Sequence, residues 1–219
     1  MQNHIELKNI SHYFDTTKER INLFTNLSLS IETGKSHAIV GPSGAGKSSL
    51  LTLAAGLDVP RRGETIVNLD GKSATPIELR ARSGFIFQHF HLMNELDALG
   101  NLALPLRLKG ERNAYDTART WLERVGLKDR ADHKPTQLSG GEQQRIAVAR
   151  AFVTKPAFIF ADEPTGNLDE NTSDKIADLM FDFATESDTA LVLVTHSRRL
   201  AARADKGHRL ECGKLEQIQ

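Results

Sequence analysis

An α/β fold with a helical insertion is predicted by three features of this 219-residue chain. Short, wholly apolar runs such as "AFIFA" (157–161) and "ALVLV" (190–194) have the length, and the lack of alternation, of strands buried on both faces of a parallel sheet. A glycine-rich octet, "GPSGAGKS" (41–48), joins an apolar strand to a helical segment. Between that octet and the run at 157 the pattern turns helical, so strands open the chain, helices fill its middle, and strand and helix alternate again toward its end.

In order, "HIELKNISHYF" (4–14) alternates as an edge strand does, and "LFTNLSLSIETGKSHAIVG" (23–41) reads as two further strands broken by a turn at Thr33 and Gly34. "GPSGAGKSSLLTLAAGL" (41–57) follows, a loop and then a helix starting near Lys47. From "NLALPLRLKG" (101–110) the chain becomes helical. There "AYDTARTWLERVGL" (114–127) sets Ala118, Trp121, Leu122 and Val125 at helical offsets of 0, 3, 4 and 7, with Gly126 as the C-cap. Trp121 on that stripe reads as packing, not as a ligand platform. "PAFIFADEPTGNLD" (156–169) returns to a buried strand, a helix with Ile176, Leu179, Met180 and Phe183 on one face follows, and "TALVLVTHS" (189–197) is a further buried strand. No internal repeat or low-complexity linker interrupts the pattern, so the helical part is expected as an insertion within one α/β core.

Composition narrows the function classes. Twenty-eight basic residues balance twenty-eight acidic ones, which argues against nucleic acid as a partner. No stretch approaches the roughly 20 apolar residues a membrane-spanning helix needs. "MQNHIELKNI" lacks the basic start and apolar core of a secretory leader, so a cytosolic location is expected. The single cysteine, Cys212, excludes an intrachain disulfide framework and reads as a bystander.

The octet carries the strongest chemistry. In the stretch Gly41, Pro42, Ser43, Gly44, Ala45 and Gly46, successive backbone amides around Gly44 and Gly46 can surround phosphates only where side chains are absent or small, and the following helix adds its positive end. Lys47 supplies a mobile cation for the outer phosphates, and Ser48, followed by Ser49, offers a hydroxyl to Mg²⁺. Asp162 and Glu163 end the run "AFIFA". Asp162 suits the metal; Glu163 suits a general base for the attacking water, with turn capping before Pro164 as its competing reading. His196 lies just past a buried strand, at the end of a parallel sheet where ligands bind, within reach of the terminal phosphate or the water. A second anion cradle follows in "QLSGGEQQRIAVARAF" (137–152): the amides of Ser139, Gly140 and Gly141 at a helix start, with Glu142 and Gln143 behind them. A charge at a helix start contributes only about 0.3–2 kcal/mol, too little to hold ATP alone. The second cradle therefore suits a nucleotide already held by another subunit.

Taken together, "GPSGAGKS", "FIFQ", "LSGGEQQ", "FADEP", "NLD" and "VTH" occur in the order found in ATP-binding subunits of ABC transporters, which the chain resembles over nearly its whole length. The resemblance implies an α/β P-loop NTPase core with an antiparallel β subdomain and an inserted helical subdomain. Residues 1–219 would form a single ABC ATPase domain, with 1–87 and 156–219 as the two parts of the core and 88–155 as the helical signature subdomain. It further implies ATP and Mg²⁺ as ligands and gives roles by likeness. Gln88 becomes the residue linking Mg²⁺ and water to a membrane partner, Ser139 to Gln143 the signature motif, Asp169 a D-loop residue, and Tyr13 the aromatic that stacks on adenine. A second copy in a head-to-tail ATP sandwich and an integral membrane permease with a large periplasmic domain are the implied partners, at the inner face of a bacterial cell membrane.

A closer likeness, carried by "GFIFQHFHLMNELDALGNLALPL" and "FADEPTGNLDENTSDKIADLMF", is to the lipoprotein-releasing and macrolide-export branch. That branch implies work on lipoprotein or amphiphilic cargo. A cell-division-type ATPase regulating envelope enzymes is the alternative, and a soluble ATPase acting on nucleic acid or ribosomes a more distant one. Gly100 stands where that family commonly has Glu, "GKSS" replaces "GKST", and Ser197 follows His196 where Asp is common.

Overall fold

The computed structural model describes residues 3–17 and 19–218. Met1 and Gln2, at the head of the segment read for a leader, lie outside the described residues. Among the described residues, ten strands and seven α-helices form two sheets and the layers on them. The strands are β1 (His4–Asp15), β2 (Arg20–Glu32), β3 (Ser36–Val40), β4 (Arg62–Leu69), β5 (Lys72–Ser73), β6 (Ser83–Phe87), β7 (Phe158–Asp162), β8 (Ala190–Val194), β9 (Lys206–Glu211) and β10 (Lys214–Gln217). The helices are α1 (Lys47–Ala54), α2 (Pro76–Ala81), α3 (Ala98–Leu108), α4 (Ala114–Arg124), α5 (Gly140–Phe152), α6 (Glu170–Glu186) and α7 (Arg198–Ala201).

The first sheet is antiparallel, in the order β2-β1-β4-β5. β1 is thus an interior strand, paired with β2 on one side and β4 on the other, which corrects the edge-strand expectation. Alternation reports that one face is buried and the other wet; it carries no information on how many neighbours a strand has. Irregular register between Leu7 and Ile10, where Asn9 has a left-handed φ of 51°, keeps Ile5, Leu7, Ile10 and His12 on the buried face.

The second sheet runs β10-β9-β3-β8-β7-β6 and is parallel except for β10. Its central strands are buried on both faces. Ala38, Ile159, Ala161, Leu191 and Leu193 join the core beneath the helical layer, while Ile39, Phe158, Phe160, Val192 and Val194 join a core shared with α1 and the antiparallel sheet. Phe87, Asp162 and Val194 share one register line, so β6, β7 and β8 deliver the residues that follow them from one level.

Between β6 and β7 come α3, α4 and α5. α4 ends as its sequence implies: Gly126 has φ 68°, its amide donates to the Glu123 carbonyl at 3.0 Å, and the Leu127 amide donates to the Leu122 carbonyl at 2.8 Å. Trp121 is packing. Its ring stands edge-on to Phe183 of α6 at 5.0 Å, under the Arg124 guanidinium at 4.4 Å. Ile176, Met180 and Phe183 are buried on the α6 face, and Leu179 is half-buried at its margin.

Candidate nucleotide site

The phosphate loop leaves β3 at Gly41 and enters α1 at Lys47. A side chain at Gly41 would stand 2.2 Å from the Leu210 carbonyl of β9, so the loop can lie against the sheet only through glycine. Gly46 is the N-cap of α1 with φ 91°, a left-handed turn that an L-residue adopts only under strain, and a Cβ there would also crowd Leu23. The Lys47 ammonium is held by the carbonyls of Gly41 (3.0 Å) and Pro42 (3.1 Å). It lies 3.3 Å from His196 Nε2. Ser43, Gly44, Ser48 and Ser49 line the same cleft, together with Glu163 and His196. Ala45 closes the turn, its amide donating to the Pro42 carbonyl at 3.3 Å.

Asp162 ends β7 and accepts a hydrogen bond from the Ser48 hydroxyl at 3.0 Å. The next residue, Glu163, has a left-handed φ of 46°. In that conformation its amide reaches the Val194 carbonyl of β8 at 3.0 Å and its carboxylate turns to the segment after β8. Glu163 Oε2 accepts from the His196 amide at 3.2 Å, and Oε1 lies 3.1 Å from His196 Nε2. That one ring nitrogen faces both an ammonium and a carboxylate. Unprotonated it accepts from Lys47; protonated it donates to Glu163.

Gln88 follows β6, lining one cleft with Glu163, Gly166 and His196. Its amide donates to Asn167 Oδ1 at 2.9 Å, and Asn167 Nδ2 donates back to the Gln88 carbonyl at 3.2 Å. Asn167 was not singled out from sequence, although it sits inside "NLD". Asp169, two residues on, caps α6 by accepting from the Thr172 amide at 3.0 Å; bonds from Thr172 hold its carboxyl below the usual carboxylate range.

Ser139 caps α5 with a reciprocal box: its hydroxyl accepts from the Glu142 amide at 3.3 Å, while its amide donates to Glu142 Oε2 at 2.8 Å. Gly140 and Gly141 open the helix, and a Cβ on Gly141 would meet Thr172 Cγ2 at 2.7 Å, so α5 approaches α6 only through glycine. Gln143 ties back to the Leu138 carbonyl at 3.0 Å. Ser139, Gly140, Gly141, Glu142 and Asp169 line a cleft that shares no described residue with the cleft at Lys47.

Tyr13 does not join either cleft. It pairs with Asn22 on the outward face of β1, under the guanidiniums of Arg20 (4.0 Å) and Arg61 (5.6 Å). Its neighbour Phe14 points to the other face, edge-on to His12 at 5.2 Å, and His12 stacks on Phe24, the ring that crowds Gly46. Neither Tyr13 nor Phe14 lines the cleft at Lys47; of the two, Phe14, exposed to 43 %, is the one that touches the His12–Phe24 stack beside Gly46.

The departures have local consequences. Gly100 is the third residue of α3; its amide donates to Asp97 Oδ1 at 2.6 Å, but glycine has no side chain to complete the reciprocal box a Glu would make. Ser197 caps α7, accepting from the Leu200 amide at 3.2 Å, so it keeps the capping function an Asp would serve.

A loop that aims amides and a lysine at one spot, beside a serine–aspartate pair of hard oxygens, is built for a chain of phosphates, and with this sheet order it defines a P-loop ATPase. The family model described as ABC transporter matches residues 24–166, and the chain belongs to that family. It is 44 % identical to the ABC transporter ATP-binding protein YbbA of Escherichia coli, over 99 % of this chain and 98 % of that one. It is 45 % identical to the lipoprotein-releasing system ATP-binding protein LolD of Bordetella pertussis, over 97 % and 95 % of the two chains. Among solved structures, the dimeric structure of MJ0796, a bacterial ABC transporter cassette, superimposes with a TM-score of 0.85 at 35 % identity, covering 98 % of this chain and 99 % of the other. A post-hydrolysis dimer of that cassette bound to ADP and Pi gives 0.84. The chain is an ATP hydrolase of the ABC type, and among its described residues no helix is long and apolar enough to cross a membrane.

Proposed function

We propose that two copies of this chain close head to tail around two ATP molecules and so drive a membrane permease. One observation carries the reading: the glycine loop at Lys47 and the glycine-opened helix at Ser139, each suited to hold phosphate, lie in clefts with no described residue in common. A single nucleotide meets both kinds of cradle only when a second copy supplies the other. The dimers solved for MJ0796, which has the same fold, support that arrangement.

Within each half-site, Gly41 to Ser49 wrap the phosphates and Lys47 turns from its loop carbonyls to the outer ones. Ser48 Oγ and Asp162 Oδ1, 3.0 Å apart, are a pair of hard oxygens that fits Mg²⁺, with Gln88 as a further oxygen donor once it leaves Asn167. The ion supplies charge neutralisation on the outer phosphates. Glu163 takes the proton of the attacking water, and His196, held at both of its neighbours, orients that carboxylate. Phe14 supplies the aromatic face for adenine in place of Tyr13. Asp169 sits where the copies meet. In this reading residues 88–155 act as the signature subdomain between the two parts of the core, 1–87 and 156–219, and carry closure to the permease.

The relatives named as lipoprotein-releasing system ATP-binding proteins support lipoprotein or other amphiphilic cargo; the partner proposed with it is a permease with a large periplasmic domain, with this chain at the inner face of the bacterial cell membrane. Purification of the native complex in mild detergent tests this. Recovery of such a permease is the expected result; reproducible recovery with ribosomes or DNA alone would overturn it.

A further inference from the structure

The second cradle already holds an anion of the chain's own. Glu142 Oε2 accepts from both the Ser139 amide (2.8 Å) and the Ser139 hydroxyl (2.9 Å). Those bonds, the amide's first, and then the one from Arg130, hold the Glu142 carboxyl down to about 2, so it is charged at any physiological pH. A surface meant to receive a terminal phosphate thus carries a fixed negative charge bonded directly to Ser139, the residue that must make the contact. Left alone, that charge would repel the nucleotide.

Arg130 answers it. It ends a short 3-10 turn (Lys128–Arg130) that is pinned on both sides, its amide donating to the Leu127 carbonyl at 2.9 Å and its carbonyl accepting from the His133 amide at 3.0 Å. From there its Nε donates to Glu142 Oε1 at 3.1 Å, the oxygen that Ser139 leaves open. Among the described residues it is the one cation paired with Glu142.

We propose that Arg130 is a positioning residue of the second cradle: by neutralising Glu142 it lets Ser139, Gly140 and Gly141 accept the terminal phosphate held by the other copy. Glu142 then has a purely local task, closing the capping box that fixes the Ser139 hydroxyl, and Arg130 cancels the electrostatic cost of that task. The inference rests on the two-cradle reading above.

The test uses the full chain carrying Glu163→Gln, in which the ATP-bound dimer is expected to accumulate because hydrolysis is slowed, and reads its dissociation constant by sedimentation with ATP and Mg²⁺. Arg130→Ala is expected to weaken the dimer by roughly tenfold for each of its two cradles, on the order of a hundredfold in all, for unit charges several ångströms apart near a surface. Raising the salt concentration narrows that loss, because the repulsion is screened. Glu142→Gln, which keeps the capping box but removes the charge, restores dimerisation when combined with Arg130→Ala. Arg130→Lys, which keeps the charge in a different shape, recovers most of it and stands in if the alanine variant folds poorly. A dimer unaffected by Arg130→Ala, or a double variant as weak as the single, overturns the proposal while leaving the two-cradle reading in place. A parent that stays monomeric at saturating ATP overturns both.

Discussion

The Ser48 hydroxyl donates to Asp162 Oδ1 across 3.0 Å, joining the first turn of α1 to the last residue of β7. The bond fixes two oxygens of different elements on one spot before any ion arrives, so less ordering remains to be done when it does. Asp162→Asn removes the charge with little change in shape. Its ATPase activity, titrated with MgCl₂, is expected to show a midpoint raised by at least roughly tenfold. An unchanged midpoint would take Asp162 out of the metal site.

Glu163 and Lys47 should separate by phenotype. Glu163→Gln is expected to slow hydrolysis by about 10²–10⁴-fold while ATP binding survives, since a base acts only in the chemical step. Lys47→Ala removes the cation facing the outer phosphates, and the loss falls on ATP affinity itself. Equilibrium binding and single-turnover hydrolysis on both variants distinguish them; unchanged affinity in the lysine variant contradicts its assignment.

The two adjacent aromatics of β1 give a paired prediction. Phe14→Ala should weaken ATP binding by about 1–3 kcal/mol, the range for an aromatic stacked on a base. Tyr13→Ala, on the outward face under Arg20 and Arg61, should leave the affinity within a few tenths of a kcal/mol. Titration calorimetry with ATP decides, and the opposite ranking would return the adenine platform to Tyr13.

Acid should loosen the fold through His37. It is fully buried on β3, stacked on His208 of β9 at 5.8 Å, and burial first, then the charge of His208, pushes its pKa from 6.5 to about 4. The folded chain therefore keeps this ring neutral in a range where the unfolded chain protonates it. Stability is full above pH 6.5, falls as the pH drops toward 4 and levels off below, a loss of a few kcal/mol at about 1.36 kcal/mol per unit. Denaturant midpoints measured across that window should fall in the native sequence and much less in His37→Leu. An equal slope in the variant would place the titrating group elsewhere.

What was legible in the sequence follows from what the chemistry demands. A phosphate loop tolerates few residue types, so Gly41 to Ser48, Asp162, Glu163 and His196 could be found as words in the chain, and the structure gathers Lys47, Ser48, Asp162, Glu163 and His196 at one spot. Strand geometry was less legible. Between Tyr13 and Phe14 the faces of β1 exchange, and a register irregularity beside His12 sets which of the two meets the His12–Phe24 stack; neither residue announces it. Partners that meet only in three dimensions were missed for the same reason. Asn101 is wholly buried and bonds the backbone of Met93, Leu96 and Asp97, organising the turn before α3, and the only hint was a polar residue among Leu99, Leu102 and Ala103. Asn167 and Arg130 sit on surfaces where polar residues are unremarked until their distances to Gln88 and Glu142 are known.

The shared level at which β6, β7 and β8 end has a consequence for how this chain can vary in length. Gln88, Glu163 and Thr195 each leave the sheet one residue past the line through Phe87, Asp162 and Val194. One residue inserted in any of these strands would turn its last side chain to the opposite face and carry the next group out of reach of the other two. Related chains should therefore keep these three strands free of insertions and deletions and accumulate them in turns such as that at Gly110, where even an added side chain meets nothing within 4 Å. The spacing between motifs is free to drift; the count of residues inside each strand is not.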